Sequence, residues 1–420
     1  MDAFDRLWVW RDPAVADPLS WYRDVASDRR PAKFRIAATV PVGLSLGDAS
    51  EEELWRELEG LTAVFLERLG QVRDANAPLS PATPGESLVD LCAELARRML
   101  THCNFCQWHC GVDRSRGAKL GTCKLASGTR VSTYFHHPGE ELIYRGTEGS
   151  GTIFFTSCNM RCAFCQNGDI STDKDNGMAV DARTLATMAW LLRKEGCHNV
   201  NWVGGEVTIH LHTITDAIAL LARDPEPPRR EVLAEALQVK SDWLDPHELR
   251  REQGSYDGAF NAPMLWNSNY FMSEEAMRIL RVLMDVWLPD LKFGPGRCAI
   301  TLSRTPRYWE TVTRNLLMVH DWGEGQTIRH LVMPNHVECC TYPVLEWVAE
   351  HIPDVPVNIM DQYHPDNFCD PRSPKYQPRY EELARRPNHD EVRAALGRAR
   401  ELGLRFETVT YEKNTMGLRL

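Results

Sequence analysis

Three cysteines crowd one short stretch, "CNMRCAFCQN", as Cys158, Cys162 and Cys165. Thiolates bind soft metal ions and iron–sulfur clusters. A structural zinc ion closes its tetrahedron with four protein ligands, and this stretch supplies three. Three thiolates suit three of the four irons of a [4Fe–4S] cluster, with the fourth iron left open. A zinc site completed from a distance, by Cys197 or His198, also fits the spacing. A second set, Cys103, Cys106, Cys110 and Cys123, has four thiols, and Gly111, Gly117 and Gly121 make its segment turn-rich. It fits a closed tetrahedral zinc site, the preferred reading, or a second iron–sulfur cluster. The adjacent His102 and His109 are read as solvated. Cys92, Cys197, Cys298, Cys339, Cys340 and Cys369 are scattered and are read as small buried apolar residues.

The elements that must position the first set follow from periodicity. From residue 151 onward, β-type runs ("GTIFFT", "NVNWVG", "PMLWN", "DVWLPDLKF", "TIRHLVM", "VPVNIM") alternate with helical stretches. The helices are "ARTLATMAWLLRKEG", "HTITDAIALLAR", "SEEAMRILRVL", "YWETVTRNLLMVH", "YPVLEWVAEH" and "EVRAALGRARELG". Asp181 and Ser273 are placed as N-caps, and Gly196 stands where a C-terminal glycine belongs. Six strand–helix units with right-handed crossovers predict an α/β fold, an open, partial parallel (β/α)6 barrel over residues 151–420. Residues 1–100, with Trp8, Trp10, Trp21, Trp55 and a Pro-rich break "NAPLSPATPGES", are predicted as a mainly helical region. Residues 101–150 are predicted as a Cys-rich metal-binding knuckle, and 223–260 as a charged, partly helical insertion.

In this scheme Cys158, Cys162 and Cys165 occupy the loop after the first strand, at the carboxyl edge where parallel α/β folds build their sites. The second strand ends in Gly204-Gly205-Glu206 at the same edge. Glycines there let backbone approach a ligand, and a carboxylate can accept from an ammonium group. Asn267 and Asn269 follow the third strand, Asp290 and Lys292 end the fourth, and Gln362, Tyr363 and His364 follow the sixth. A loop-capping or surface role fits Asn267, Asn269, Asp290 and Lys292 equally well.

Composition narrows the classes. Net charge is −10 without a basic stripe, which argues against nucleic acid as partner. The opening "MDAFDRLWVW" does not read as a secretory leader, and no apolar run is long enough for a bilayer. Clustered cysteines among thirteen in a chain of 420 residues read as metal ligands in a reducing cytoplasm rather than as disulfides.

The pattern Cys158-x3-Cys162-x2-Cys165, with Phe164 before the last cysteine, resembles the radical S-adenosylmethionine (SAM) motif. Gly204-Gly205-Glu206 resembles the superfamily's strand-two motif, with Val207 where a proline often follows. Within the superfamily the chain is most similar to pyruvate formate-lyase-activating-enzyme-like proteins, through "CNFCQWHCGVDR", "GSGTIFFTSCNMRCAFCQNGDIS", "NVNWVGGE", "LPDLKFG" and "VNIMDQYHP" between about residue 100 and residue 411. The resemblance implies an oxidoreductase in which Cys158, Cys162 and Cys165 hold a [4Fe–4S] cluster that reductively cleaves SAM. The 5′-deoxyadenosyl radical so formed abstracts hydrogen from a substrate, and flavodoxin or ferredoxin supplies the electron. Gly204, Gly205 and Glu206 would meet the methionyl amino group, Phe164 the adenine, and Asn267, Asn269, Asp290 and Lys292 other parts of SAM. Gln362, Tyr363 and His364 would line the substrate side. The substrate is a partner protein, as for a glycyl radical activating enzyme, or a small molecule. A reading of another class, a non-catalytic metal-binding scaffold, needs no close-approach motif beside the three-cysteine loop.

Overall fold

The computed structural model describes residues 4–74, 77–223 and 252–415. Residues 224–251, which carry most of the charged insertion, lie outside them. The strands in chain order are β1 (Thr129–His137), β2 (Ser150–Phe155), β3 (Met178–Val180), β4 (Val200–Gly204), β5 (Ser255–Tyr256), β6 (Ala259–Phe260), β7 (Met264–Ser268), β8 (Val286–Pro289), β9 (Ile328–Leu331) and β10 (Val357–Met360). The main sheet runs β3-β1-β2-β4-β7-β8, parallel from β2 to β8, and β9 pairs in parallel with β10. Bridges Trp287–Gln326 and Asp290–Arg329 join β8 to β9. The six strands read from the sequence therefore follow one another in a parallel arc, and that arc is not a closed barrel. β5 and β6 form a two-stranded hairpin apart from it.

Two features depart from the expected pattern. β1 and β3 add an antiparallel edge, β1 pairing with both β2 and β3. β1 lies inside the stretch read as a Cys-rich knuckle, so the main sheet begins before residue 151. The fourth strand is also shorter than "DVWLPDLKF" suggests: β8 ends at Pro289, which leaves Asp290 and Lys292 on the connection beyond it.

Local chemistry explains the boundaries. The helix Ala182–Lys194 starts where Asp181 accepts from the Thr184 amide at 2.8 Å. The helix Glu274–Arg281 starts where Ser273 accepts from the Ala276 amide. Each cap satisfies a donor the first turn leaves open. Strand residues alternate between two surroundings. Met264, Trp266 and Trp287 pack with the helices outside, whereas Leu265, Val286 and Leu288 face an inner cluster. That inner cluster is filled by Phe4, Trp10, Leu19 and Tyr22 of the N-terminal region with Leu142, Ile143 and Tyr144. The segment 4–26 thus plugs the open arc, whereas Phe34, Leu54, Phe65 and Leu91 further along the N-terminal region pack in the outer cluster. Asp285 holds the N-terminal region, accepting from the Trp21 indole at 2.9 Å, the Lys33 amide at 3.0 Å and the Met264 amide at 2.9 Å. Lys33 also pairs with Glu324, both nearly buried. None of the helices in the described residues is long and apolar enough to cross a membrane.

Three buried histidines make the fold acid-sensitive. Burial pushes His210 and His212 down to about 3 and His330 down to about 4. His210 Nε2 meets the Thr156 carbonyl at 2.9 Å, His212 Nε2 that of Ser127 at 2.8 Å and His330 Nδ1 that of Leu291 at 2.8 Å. Their folded values lie below the ~6.5 of an unfolded chain, so the neutral form belongs to the fold. Their contribution is full above pH ~6.5 and is lost as pH falls toward ~4. The three histidines alone would lower stability by roughly 4 kcal/mol per pH unit in that window. Asp285, raised by burial to about 6, takes up a proton in the fold below that pH and offsets up to about a third of that loss. Denaturant midpoints measured between pH 7.5 and 5 should fall steeply; a flat profile would show that these histidines are charged or solvated.

Candidate active site

The carboxyl ends of the arc surround one cavity of about 340 Å³. Its walls come from successive inward positions: Phe154 on β2, Val203 on β4, Asn267 on β7, Arg329 and Leu331 on β9 and Met360 on β10. The connections add Cys158, Cys162, Phe164 and Cys165, then Gly204, Gly205 and Glu206, then Asn269, Asp290, Lys292 and Gln362. Residues spread over two hundred positions of sequence thus share one wall because each follows a neighbouring strand. Tyr363 and His364 are elsewhere: the Tyr363 hydroxyl is buried and donates to Leu383 at 2.7 Å, and His364 pairs with Asp366 at 2.6 Å.

The cysteine loop leaves β2 through Ser157, a non-glycine residue at φ +65°. Its amide donates to Ile170 and its hydroxyl to the Cys123 carbonyl at 2.6 Å. The loop then turns back at Met160, whose amide donates to the Cys158 sulfur at 3.3 Å. Asn269 reaches that sulfur at 3.7 Å and the Asn159 side chain at 2.8 Å. Ser171 lies 3.2 Å from the Cys165 sulfur. Polar donors aimed at sulfur are the means by which a protein tunes a thiolate-bound metal. Burial raises all three thiols, Cys162 to about 12 even with Lys292 opposing it. Binding a metal there must therefore displace protons. Phe164 is buried against Phe293 and Tyr363, with ring centroids 5.9 and 6.0 Å away, so it packs the loop onto the core as well as facing the cavity.

Gly204 and Gly205 owe their identity to a neighbour that sequence reasoning did not foresee. Gly204 has φ +140°, and a Cβ there would stand 2.2 Å from the Phe155 nitrogen. A Cβ on Gly205 would stand 1.8 Å from the Ser157 carbonyl oxygen. The glycines make room for the backbone of β2 and the cysteine loop. If Cys158, Cys162 and Cys165 hold a cluster, Gly205→Ala is accordingly expected to lower the bound iron as well as the affinity for SAM. Iron content equal to that of the unaltered chain would limit Gly205 to ligand approach. Glu206 accepts from Thr208 and Ser268 through Oε1 and from the Asn269 amide through Oε2 at 3.0 Å. It ties the end of β4 to that of β7. Oε2, with one donor, keeps a lone pair for an ammonium group.

Glu140, Glu141 and Arg329 form a part of the cavity absent from the sequence reading. Arg329 donates to both Glu141 oxygens, at 2.8 and 2.7 Å, and also contacts Glu140. Asn201 donates to Glu140 at 2.6 Å and Asn358 to Glu141 at 2.7 Å. Asn267 donates to Glu140 at 3.3 Å. Acidic residues before β2 are paired with a cation on β9, and nothing local in the sequence announces the pairing.

The second cysteine set packs on the first loop. Trp108 donates to the Asn159 carbonyl at 2.8 Å, Arg161 reaches the Thr122 carbonyl, and Cys106 bridges Met272. Arg114 is fully buried and donates to Ala126 and Ile209. Among the described residues, neither set brings three sulfurs within 4.8 Å of one another. Sulfurs on a single zinc ion stand roughly 3.8 Å apart. At Cys103, Cys106, Cys110 and Cys123 no three sulfurs stand as close together as one zinc ion would hold them.

The family model described as Radical SAM superfamily matches residues 152–348. The chain is 31% identical, over 393 residues, to an uncharacterized protein of Methanocaldococcus jannaschii, a match covering 92% of this chain and 98% of the relative. Two solved structures of Streptococcus suis SuiB are more distantly similar. The one bound to precursor peptide SuiA is 14% identical with a TM-score of 0.38, covering 83% of this chain and 62% of that one. The one bound to S-adenosylmethionine is 13% identical with a TM-score of 0.32, covering 73% and 54%. The chain spans less than two thirds of either structure's own length.

Proposed function

The chain belongs to the radical SAM superfamily, and we propose that it is an enzyme whose Cys158, Cys162 and Cys165 hold a [4Fe–4S] cluster beside bound SAM. The observation that carries this is the cavity itself, where the three thiols and the Gly204-Gly205-Glu206 turn share a wall. When bound, the cluster and SAM supply reductive cleavage to a 5′-deoxyadenosyl radical and hydrogen abstraction. The residues of the chain bind, orient and exclude water. Glu206 offers Oε2 to the methionyl ammonium. Asn267 and Asn269 face the same space, and Asn269 also holds the Cys158 sulfur. Lys292, paired with Asp290, brings a cation to the thiolates; burial pulls its pKa down, but Asp290 more than restores it. Phe164 fixes the loop from behind. Gln362 stands at the rim.

A cavity of about 340 Å³ is at the small end of sites that enclose a single ligand. SAM would occupy much of it, leaving the substrate to enter from the open side. We favour a segment of a partner protein entering there, as in a glycyl-radical-activase-like reaction, and the alternative is a small molecule bound beside SAM. A low-potential donor such as flavodoxin or ferredoxin would supply the electron, in the cytoplasm where thiols stay reduced. We read Cys103, Cys106, Cys110 and Cys123 as ligands of a second iron–sulfur cluster, in view of their wide spacing. The test is anaerobic incubation of reconstituted protein with reductant and SAM. Release of 5′-deoxyadenosine, stimulated by a candidate partner protein, is expected. Stimulation by a small molecule alone would favour the enclosed-substrate reading, and no release under any condition would leave the scaffold.

A further inference from the structure

Cys298 opens a short helix, Cys298–Ser303, on the connection after β8. His336, Cys339 and Cys340 lie on the connection after β9, where a π-helical turn, Val337–Thr341, precedes the helix Tyr342–His351. β8 and β9 are neighbours, so their connections meet. The approach is close: a Cβ on Gly294 would stand 2.3 Å from the Cys339 carbonyl oxygen. A π-turn adds one residue to the helical register, and here His336, Cys339 and Cys340 all turn toward Cys298.

Four soft donor atoms converge within 4.8 Å of one another. The Cys298 sulfur is 3.6 Å from that of Cys339 and 3.6 Å from His336 Nδ1. The Cys339 sulfur is 3.2 Å from His336 Nδ1 and 3.9 Å from the Cys340 sulfur. With zinc–sulfur bonds near ~2.3 Å and zinc–nitrogen bonds near ~2.0 Å, a tetrahedral ion separates its sulfurs by roughly 3.8 Å and sulfur from nitrogen by roughly 3.5 Å. The observed distances scatter about those values. On the far side of the ring, His336 Nε2 is buried without a hydrogen-bond partner, and a Glu382 carboxylate oxygen stands 3.6 Å from it. A carboxylate behind a ligating imidazole is the usual outer support of such a ligand.

We propose that Cys298, His336, Cys339 and Cys340 form a Cys3His zinc site that fastens the connection after β8 to the one after β9. Four protein ligands leave no exchangeable position, so the site is structural. It lies beside the strands that deliver Asp290, Lys292 and Arg329 to the cavity, and its metal-binding free energy adds to the stability of that side of the arc.

The test uses the full chain, purified anaerobically from zinc-replete cells. Metal analysis should find about one zinc per chain, and zinc X-ray absorption should show a first shell of three sulfurs and one nitrogen. Cys339→Ser is preferred because Cys339 is exposed, and it should fold. It should lower zinc at least fivefold and leave iron unchanged, whereas Cys106→Ser should leave the zinc in place. Zinc retained in Cys339→Ser, a shell of four sulfurs lost in Cys106→Ser, or an unaltered chain free of zinc would each overturn the proposal. So would a disulfide between Cys298 and Cys339 in the anaerobic protein, seen as two thiols closed to alkylation.

Discussion

Replacing any one of Cys158, Cys162 or Cys165 with alanine is expected to reduce 5′-deoxyadenosine release by more than about 100-fold. Loss of an outer-shell partner alone commonly costs about 10–100-fold at a metal site, and these substitutions remove a ligand itself. The three are not interchangeable in structural cost. Cys158 is buried and receives the Met160 amide and the Asn269 side chain. Its removal also frees two donors that hold the loop. Cys162 and Cys165 are partly exposed, and their variants should fold as the unaltered chain does while losing iron. Iron content and 5′-deoxyadenosine measured on the same preparation separate the two effects. A Cys162→Ala chain that keeps its iron and still cleaves SAM would exclude the cysteine loop as the cluster site.

Arg329→Met is expected to destabilise the fold by about 3–5 kcal/mol, the range found when one partner of a buried ion pair is removed. The Glu140 and Glu141 side chains are 6% and 1% exposed and share one guanidinium. Without it, two carboxylates in the cavity wall lose the cation they share, although amide donors from Asn201, Asn267 and Asn358 stay in place. A second substitution, Glu141→Gln, should recover part of the loss, because the residues act as one network and their effects do not add. Chemical denaturation of the single and double variants measures this directly. A change below about 1 kcal/mol in Arg329→Met would show that water already solvates the acids.

How far sequence alone could go is clearest from particular residues. Cys158, Cys162 and Cys165 announce themselves because all three ligands lie on one loop. The order of the parallel strands is legible because apolar runs alternate with amphipathic helices, and sequential strands in such folds are neighbours. β1 was hidden by its place: "TRVSTYFHH" is a fair strand sequence, but it follows the cysteine-rich segment and pairs antiparallel. Gly204 and Gly205 were visible as glycines, while their reason, the backbone of Phe155 and Ser157, was not. Glu140, Glu141 and Arg329 come together only when β9 closes the arc, almost 190 residues along the chain. The same holds for Cys298, His336, Cys339 and Cys340. Read singly as small buried residues, these cysteines gain a different meaning once the connections after β8 and β9 touch.

If Cys158, Cys162 and Cys165 hold the cluster, its open iron would meet the amino group of SAM beside Glu206. Electron–nuclear double resonance of the reduced protein with SAM labelled with 15N at the methionyl nitrogen tests this central claim most directly. A 15N hyperfine coupling on the cluster signal, weakened or lost in Glu206→Gln, is the predicted result. A cluster signal that is unchanged by SAM and carries no 15N coupling would contradict the account.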